Sequence, residues 1–144
     1  MSDILKISCD IGTTDPTIPL GVEVWVDDCK FVDLTCVQIE PLSIEVPETD
    51  GDHELRFVMK NKRPEHTQVD VNGNIVKDAV LTISNVMFND IALENVFTEL
   101  TEYVHDFNGT QDTVHDKFYG SMGCNGTVSL KFTAPIYVWL LENM

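Results

Sequence analysis

Apolar and polar residues alternate along several separate stretches of the chain, with the period of two expected of a half-buried β-strand. The clearest stretch begins at His53, where Leu55, Phe57 and Met59 fall on one face and mostly charged residues fall on the other. The same alternation recurs in four further segments, at 4–9, 21–26, 42–46 and 127–133. These segments predict strands that bury one face and present the other to water.

Turn signals separate the alternating segments at short intervals. Asp27-Asp28 and Asn72-Gly73 each stand between β-prone runs and predict two hairpins. Prolines 41 and 47 flank the segment 42–46. Since proline cannot donate to a sheet ladder, this strand should lie at a sheet edge. About eight or nine strands at this spacing predict a mostly β fold, a single antiparallel β-sandwich (jelly roll) over residues 1–144.

One further β-prone segment changes phase in its middle. Leu81 and Ile83 share one parity, whereas the next two apolar residues, Val86 and Phe88, fall on the other. A β-bulge or strand break near Asn85 would return both pairs to the core face. We interpret this segment as a central strand.

Two segments carry other patterns. Over 91–104 the apolar residues follow the i, i+3, i+4, i+7 rule and predict one short helix, although several β-branched and aromatic residues there favour a strand, and both alternatives stay open. After Pro135, the dense apolar run 136–141 predicts a final strand that is buried on both faces. We expect its aromatic residues, Tyr137 and Trp139, to belong to the core.

The charge balance of the chain is strongly acidic. Its 144 residues include 24 Asp and Glu against 9 Lys and Arg, for a formal net charge of −15. Such a protein would repel a polyanion, so we expect no nucleic-acid partner, while cation binding stays possible. No apolar run reaches the ~18 residues of a membrane helix, and the first residues, MSDILKISCD, lack a signal-peptide layout. We expect a soluble protein made in the cytoplasm, without membrane insertion.

The cysteines and histidines match no catalytic or zinc-binding spacing. Cysteines 9, 29, 36 and 124 contain no C-x-x-C pair, and the four histidines contain no H-E-x-x-H motif. We expect the cysteines to be reduced and buried. A Cys29–Cys36 disulfide across a hairpin is the alternative if the protein ends up outside the cell. The chain is predicted not to be an enzyme, and no catalytic residue is assigned.

Acidic residues in one turn raise the possibility of a calcium site. Asp50 and Asp52 flank Gly51, with Glu48 close by, and calcium prefers oxygen ligands. A second acidic segment beginning at Asp70 fails the calcium-loop pattern, because position twelve of that loop is Leu81 rather than Glu. Asp50 and Asp52 are therefore the candidate metal ligands, and a solvated turn is the alternative. No other cofactor is predicted.

Aromatic residues on polar-facing positions suggest a sugar site. Trp25 lies on the polar parity of its strand, and Tyr119 lies in a segment rich in turn residues. Aromatic rings can stack on sugar rings while neighbouring polar groups bind the hydroxyls. With Trp25 and Tyr119 we therefore assign His105, Asp106 and Asn108 as candidate ligand-binding residues. The alternative for Trp25 is a rim residue covered by a loop or a partner.

Three segments resemble a known family of modules. They are GVEVWVDDCKF, DGDHELRFVMKN and NGNIVKDAVLTISNVMFNDIAL, and together they are similar to the core of jelly-roll carbohydrate-binding modules of the xylan-binding type. The resemblance covers about residues 20 to 93 and implies a sandwich that binds polysaccharide. The metal-binding loop of those modules has no recognisable counterpart, so their calcium and sugar residues are not carried over.

A second resemblance covers the whole chain. HDFNGT, KFYGSMGCNGTVSLKF and the terminal WLLENM look like small proteins of T4-like phages of marine cyanobacteria. This resemblance implies a virion or host-surface role. The predicted function is thus a non-catalytic carbohydrate-binding-like sandwich, acting as a phage virion or host-surface recognition protein, with glycans and virion proteins as partners. The alternatives are a structural, homo-oligomeric virion protein without a small-molecule ligand, and a jelly-roll hydrolase with two facing carboxylates.

Overall fold

Two antiparallel sheets stack face to face in the computed structural model of the protein. The model describes residues 3–14, 20–36, 38–60, 68–69, 71–72, 75–77, 80–93, 95–105, 113–122 and 125–143. The strands are β1 (Asp3–Thr13), β2 (Leu20–Val26), β3 (Cys29–Cys36), β4 (Glu40–Glu48), β5 (Gly51–Lys60), β6 (Gln68–Val69), β7 (Ile75–Lys77), β8 (Leu81–Phe88), β9 (Ile91–Ala92), β10 (Glu102–His105), β11 (Val114–Lys117), β12 (Ser121–Met122) and β13 (Gly126–Ala134). The helices are α1 (Asn95–Leu100) and α2 (Ile136–Asn143).

The first sheet runs in the order β12-β8-β1-β4, with β9 paired to β8, and the second in the order β11-β10-β13-β5-β2-β3. A separate hairpin joins β6 and β7. The predicted mostly β, antiparallel sandwich is confirmed. Within the described residues, nine strands have four or more residues. The short strands β6 and β7 form the hairpin predicted around Asn72-Gly73, whereas β11 and β12 were not predicted.

Alternating strands supply the core between the two sheets. In β5 the side chains of Leu55, Phe57 and Met59 are buried, while their neighbours on the other face are partly exposed. The first sheet contributes the same pattern from β1, β4 and β8. The buried apolar side chains include Leu5, Ile7, Ile11, Val22, Val24, Ile44, Val46, Phe88, Val128, Leu130 and Phe132. Burial of this apolar face is what selects the period-two segments as strands.

The predicted turns and the predicted edge strand are present. Asp27 and Asp28 form the turn between β2 and β3, and β6 pairs with β7 across the segment that contains Asn72. Strand β4, which carries prolines 41 and 47, lies at one end of its sheet and pairs only with β1 among the described strands. The missing amide hydrogens of the two prolines are tolerated there because no further strand needs them.

The phase change in β8 is a β-bulge. Ser8 of β1 faces Met87, and two residues later Asp10 faces Ser84, so β8 holds one extra residue at this point. Asn85 adopts a left-handed backbone with φ 54°, and its side-chain amide donates to Asp10 Oδ2 at 2.8 Å. The extra residue returns Val86 to the interior, as predicted.

Both alternatives for residues 91–104 are realised in different parts of the segment. The helix is confined to the six residues of α1, where Phe97 packs into the core. It ends at Leu100, and the amide and hydroxyl of the next residue, Thr101, both donate to the carbonyl of Phe97. The flanking β9 and β10 pair with β8 and β13. The prediction of one short helix is therefore confirmed, with narrower bounds.

The prediction of a final strand is wrong, since residues 136–143 form helix α2. Ile136, Trp139 and Leu140 are buried at helical spacing, and Trp139 packs on Phe88 with ring centroids 5.8 Å apart. A short apolar run is compatible with either a strand or a helix. In this protein the run does not join either sheet and instead packs as a helix over the open end of the sandwich. Tyr137 is 54% exposed rather than part of the core, whereas the prediction for Trp139 is confirmed. Within the described residues, neither helix is long and apolar enough to cross a membrane.

The cysteines have different environments. Cys29 and Cys36 lie at opposite ends of β3, roughly 23 Å apart at the rise of a strand, so the alternative of a disulfide between them is wrong. Cys9 and Cys36 are buried as predicted, but Cys29 is exposed. Burial, aided by the charge of Asp10, raises the pKa of the Cys9 thiol to about 12. Cys124 lies outside the described residues.

Candidate functional site

A cleft opens at the end of the sandwich where the β2–β3 turn meets the start of β5 and the end of β13. Its volume is about 660 Å³, and Trp139 of α2 forms part of its wall. The strand registers bring these segments together, because Val26 of β2 pairs with Leu55, and Ala134 of β13 pairs with Gly51. The remaining lining residues are Asp27, Asp28, Asp52, His53, Glu54, Arg56, Lys131, Phe132 and Thr133.

Asp27 fastens the β2–β3 turn to β5. Its backbone is left-handed, with φ 54°, and its amide donates to the carbonyl of Glu54 at 2.9 Å. Its carboxylate Oδ1 accepts from the Glu54 amide at 3.0 Å, and its own carbonyl accepts from the Arg56 guanidinium. Burial raises the pKa of Asp27, but the bonds from His53 and from the Glu54 amide outweigh it, so its pKa lies below its ordinary value. Asp27 thus contacts, and helps to position, His53, Glu54 and Arg56 in the cleft.

His53 connects this turn to the next one. Its Nδ1 lies 2.8 Å from Asp27 Oδ2, and its Nε2 lies 2.6 Å from the carbonyl oxygen of Thr49, in the β4–β5 turn. The imidazole also stacks on Phe132 of β13, with centroids 5.5 Å apart and an angle of 28° between the planes. The ring is therefore held by contacts from three different elements.

A second, smaller pocket lies on the other side of His53. Its volume is about 240 Å³, and it shares Asp27, His53 and Phe132 with the cleft. Buried apolar side chains from both sheets, among them Val46 of β4 and Val26 of β2, line it. His53 thus lines both the polar cleft and the apolar pocket.

The cleft offers many hydrogen-bonding groups and little exposed aromatic surface. Phe132 and Trp139 are 2% and 5% exposed, so they close the floor without providing an open stacking platform. Above them stand carboxylates, one guanidinium, one ammonium and one imidazole. Such a set can bind a ligand with several hydroxyl groups, because each charged group makes stronger hydrogen bonds than a neutral one.

Trp25, the first of the sequence-predicted ligand residues, lies on the outer face of the second sheet. Its indole nitrogen donates to Glu23 Oε1 at 2.8 Å. Lys30 Nζ and Arg56 Cζ lie over its ring at 5.9 and 5.6 Å from the centroid. The two cations cover the ring, which leaves Trp25 as a support for Arg56 rather than as an open platform.

An ion-pair network continues from Trp25 across this face. Lys60 Nζ binds Glu23 Oε2 at 2.6 Å and Asp33 Oδ1 at 3.0 Å, and Asp33 also binds Lys30 at 3.1 Å. The hydrogen bond from Lys60 holds the pKa of Glu23 and that of Asp33 below their ordinary values. In a chain with few cations, two lie over the Trp25 ring, and a third, Lys60, binds the Glu23 carboxylate that accepts from the indole.

Two of the other predicted ligand residues, His105 and Tyr119, lie near the opposite edge of the same sheet. His105 of β10 is buried, and its Nε2 lies 2.8 Å from Asp116 Oδ2. Tyr119 is 78% exposed, with Lys117 Nζ 5.8 Å from its ring centroid. Asp106 and Asn108 lie outside the described residues. Strand β11, which precedes Tyr119, is four positions from β2, or roughly 19 Å, so the structure does not bring Trp25 and Tyr119 into one groove.

The predicted metal ligands show no completed cation site. Asp50 and Asp52 are exposed, and only Asp52 lines the cleft. Glu48 is used elsewhere, since its Oε1 accepts from the Ile136 amide at 2.7 Å and so caps α2. In the described part of the chain, no three His, Cys, Asp or Glu residues come together in a way that could hold a metal. Calcium binding by Asp50 and Asp52 stays a prediction.

The sequence places Asp27 in a turn and His53 at the start of a strand, but no motif in it marks either one as a site residue. The available signal was a pair of acidic residues in a tight hairpin turn and a polar face on β5. The sequence pattern did not indicate that β2 pairs with β5, and it is this pairing that places Asp27 beside Glu54 and Arg56.

Comparison with known proteins supports the fold. No family model matches the chain, and no curated protein matches it. Among solved structures, "vCBM60 in complex with galactobiose" is similar, with a TM-score of 0.52 and 12% sequence identity over 87% of this chain and 96% of that chain. The fold resembles that of a carbohydrate-binding module. At this identity the similarity concerns the fold alone, and the resemblance to such modules is supported at that level.

Proposed function

We propose that the protein is a non-catalytic glycan-binding module and that its sugar site is the cleft beside Asp27 and His53. The observation that supports this best is the cleft itself, in which carboxylate, guanidinium, ammonium and imidazole groups converge over an apolar floor. The similar solved structure is a complex with galactobiose, which adds fold-level support. A volume of about 660 Å³ lies within the range of ligand sites and exceeds that of a single sugar.

Recognition in this cleft depends on hydroxyl groups rather than on ring stacking. The aromatic floor is nearly closed, and Trp25 is covered by Lys30 and Arg56. Carboxylates such as Asp28 and the ammonium of Lys131 can instead accept from and donate to neighbouring hydroxyls of one sugar. Binding rather than hydrolysis is the proposed outcome, because both carboxylate oxygens of Asp27 already accept hydrogen bonds that hold the turn.

The alternative location for the sugar is the edge that carries Tyr119 and His105, the described members of the predicted ligand set that also includes Asp106 and Asn108. Tyr119 is the most exposed aromatic side chain among the described residues. A sugar stacked on its ring would lie next to Lys117. The two locations are far enough apart for separate variants to distinguish them.

The test is affinity electrophoresis against a panel of algal and bacterial polysaccharides, followed by calorimetry on any that retards the protein. The cleft variant is D28N/K131M, and its matched control, K6M/D90N, neutralises the ion pair between Lys6 of β1 and Asp90 in the turn after β8. We expect the cleft variant to bind ~10-fold or more weakly, since each lost charged hydrogen bond costs about 1.5–3 kcal/mol, and the control to bind as the wild type does.

Two results would change the proposal. Loss of binding in Y119A with normal binding in D28N/K131M would move the site to the Tyr119 edge. No retardation by any polysaccharide, with and without calcium, would remove the glycan-binding function, and the calcium arm also tests Asp50 and Asp52.

We also propose that the module serves on a phage virion or in recognition of a host surface. The support is the sequence resemblance to small proteins of marine T4-like phages, together with an acidity whose self-repulsion seawater salt would screen. Peptide mass spectrometry of gradient-purified particles of a phage that encodes the chain tests this role. Presence of the chain at a fixed copy number is expected, and its complete absence from particles would contradict it.

A structural subunit is the second candidate function, favoured by the outer face of α2. Tyr137, Val138 and Leu141 are 54%, 51% and 83% exposed there. A second copy of this chain is the proposed occupant, because a two-fold contact sets the same apolar patch against itself and α2 carries only Glu142 as a charge. Light scattering after gel filtration should then give a dimer mass that V138K/L141K reduces to the monomer. A wild-type monomer at ~100 µM would exclude this candidate.

A further inference from the structure

We propose that the apolar pocket next to the cleft binds a small apolar molecule that carries an ammonium group. The pocket has a volume of about 240 Å³, and its lining includes β4, an end strand of the first sheet, and β3, an end strand of the second. This ligand is distinct from the glycan proposed for the cleft, and no sugar is needed to test it.

The wall of the pocket is mostly apolar. Val46 of β4 and Val26 of β2 are buried, as are Phe132 and Ala134 of β13. Protein interiors are close-packed and leave few voids larger than a water molecule, so an apolar space of this size between two sheets is unusual. Water finds few hydrogen-bond partners there, and an apolar group that displaces it gains free energy. A volume below the ~300–1,000 Å³ of drug-sized sites suits a molecule with one ring or one short alkyl chain.

Two exposed residues of β3 mark the opening of the pocket. Cys29 is exposed, Phe31 is 39% exposed, and both line the pocket. Phe31 is the extra residue of a β-bulge, because Val24 of β2 faces Val32 whereas the next residue of β2 faces Lys30. The bulge thus places an aromatic ring at the opening, where it can pack on the apolar part of a bound ligand.

The charged groups on the wall leave one acceptor available to a ligand. Among the described residues these groups are Asp27, Glu48 and His53, without any Lys or Arg. The two ring nitrogens of His53 face Asp27 and the carbonyl of Thr49. The second carboxylate oxygen of Asp27 accepts from the Glu54 amide. Glu48 uses Oε1 to cap α2, but its Oε2 makes no hydrogen bond with a described residue, so Oε2 is the available charged acceptor.

An ammonium head group matches this wall. It can donate to Glu48 Oε2, and a hydrogen bond between charged groups is roughly twice as strong as a neutral one. A carboxylate head group would instead meet the carboxylates of Asp27 and Glu48, and this repulsion disfavours it. A neutral hydroxyl head group should bind with an affinity between these two. The net charge of −15 also attracts cations to the molecule.

Three probes of nearly equal size test the charge preference: phenylbutylammonium, phenylbutanol and phenylbutyrate. Their binding is followed by the methyl NMR signals of Val26 and Val46, which line the pocket. We expect the ammonium to bind at least ~5-fold more tightly than the alcohol, and the carboxylate at least ~5-fold more weakly. E48Q keeps an oxygen that can cap α2 but removes the charge, so it should cancel the advantage of the ammonium over the alcohol. The matched control, E45Q, neutralises an exposed Glu on the same strand and should retain this advantage.

Two further measurements locate the bound probe. A134I enlarges a buried side chain of the pocket wall and should weaken the binding of all three probes by at least ~10-fold. In the wild type, saturating phenylbutylammonium should slow the alkylation of Cys29 by iodoacetamide at least ~5-fold, because the thiol lines the occupied pocket. Mass spectrometry of the peptide that contains Cys29 measures this rate, and it does not depend on the folding of A134I.

Several results would overturn the ammonium site. They are methyl signals that no probe shifts at ~10 mM, a carboxylate that binds as tightly as the ammonium, or an ammonium preference that E48Q leaves unchanged. Undiminished binding to a folded A134I, or a Cys29 alkylation rate that saturating ammonium does not change, would place the probe elsewhere and overturn it as well. Polysaccharide retention decides the glycan function separately, so failure of one proposal leaves the other standing.

Discussion

Asn85 offers a direct test of how the chain keeps β8 in phase with the core. The residue has a left-handed backbone, φ 54°, and donates to Asp10 Oδ2 at 2.8 Å. In N85A the hydrogen bond is lost, at about 0.5–1 kcal/mol, and a side chain that does not favour the left-handed region costs about 1 kcal/mol more. The free energy of unfolding should therefore fall by about 2 kcal/mol.

Two further variants separate these contributions. N85G also loses the hydrogen bond but adopts the left-handed backbone without a steric penalty, and this relief offsets the entropy of the more flexible unfolded chain. It should be destabilised by only about 1 kcal/mol. D10A removes the hydrogen bond and leaves the backbone of Asn85 unchanged, so it should cost about 0.5–1 kcal/mol.

Urea unfolding followed by tryptophan fluorescence measures these values, with the slope against urea expected to stay constant. Equal destabilisation of N85A and N85G would refute the claim that the left-handed backbone carries a cost.

Deleting Asn85 is the stronger perturbation, because it turns Val86 and Phe88, now 5% and 0% exposed, toward the outer face. That loss of about 3–6 kcal/mol is comparable to the whole stability of a domain, so the deleted chain should not fold cooperatively.

Three further predictions concern the end of the sandwich and the overall charge. W139A should lose about 3–5 kcal/mol in urea unfolding, because Trp139 fills the space between α2 and Phe88, and retention of full stability would show that α2 is not packed there. E48A should lose about 1 kcal/mol, since Glu48 caps α2 at the Ile136 amide, with E45A as the exposed control on the same strand. Added NaCl should raise the melting temperature by screening a net charge of −15, and an unchanged or lower value in calorimetry would contradict this.

The pH dependence of stability follows from two groups with opposite shifts. Asp27 has a lowered pKa, so its contribution is present above its ordinary 3.8 and is lost as the pH falls through the lower folded value. His53 has a raised pKa, so its contribution is present below 6.5 and is lost as the pH rises through the higher folded value. Unfolding at a series of pH values should show both contributions together between pH 3.8 and 6.5. A stability difference between wild type and D27N that does not vary with pH would be inconsistent with this assignment.

Much of the sandwich could be predicted because its signals are local. The alternation around Leu55, Phe57 and Met59 follows directly from a strand with one buried face. The phase change before Val86 identified a bulge to within a residue, since the side-chain period of a strand is two and one extra residue must reverse it. Prolines 41 and 47 likewise placed β4 at an edge without knowledge of its partner.

The final element and the candidate site depended on contacts that no local pattern contains. The residues directly after Pro135 are all apolar, so they show neither the period of a strand nor that of a helix. Their position at the open end of the sandwich, over Phe88 and Phe132, is what favours a helix. The sugar-site prediction chose residues by type and exposure, and it therefore grouped Trp25 with Tyr119, which the sheet order separates.

The sequence by itself determined most of the strands, the bulge, the edge strand and the acidity of this protein, because each depends on residues that are near neighbours along the chain. The tertiary structure alone decided which strands pair. Through that pairing it brought Asp27, His53 and Phe132, which are far apart in the sequence, into one cleft. Their chemistry arises from these long-range contacts, since an imidazole between two acceptors binds its proton differently from one in water.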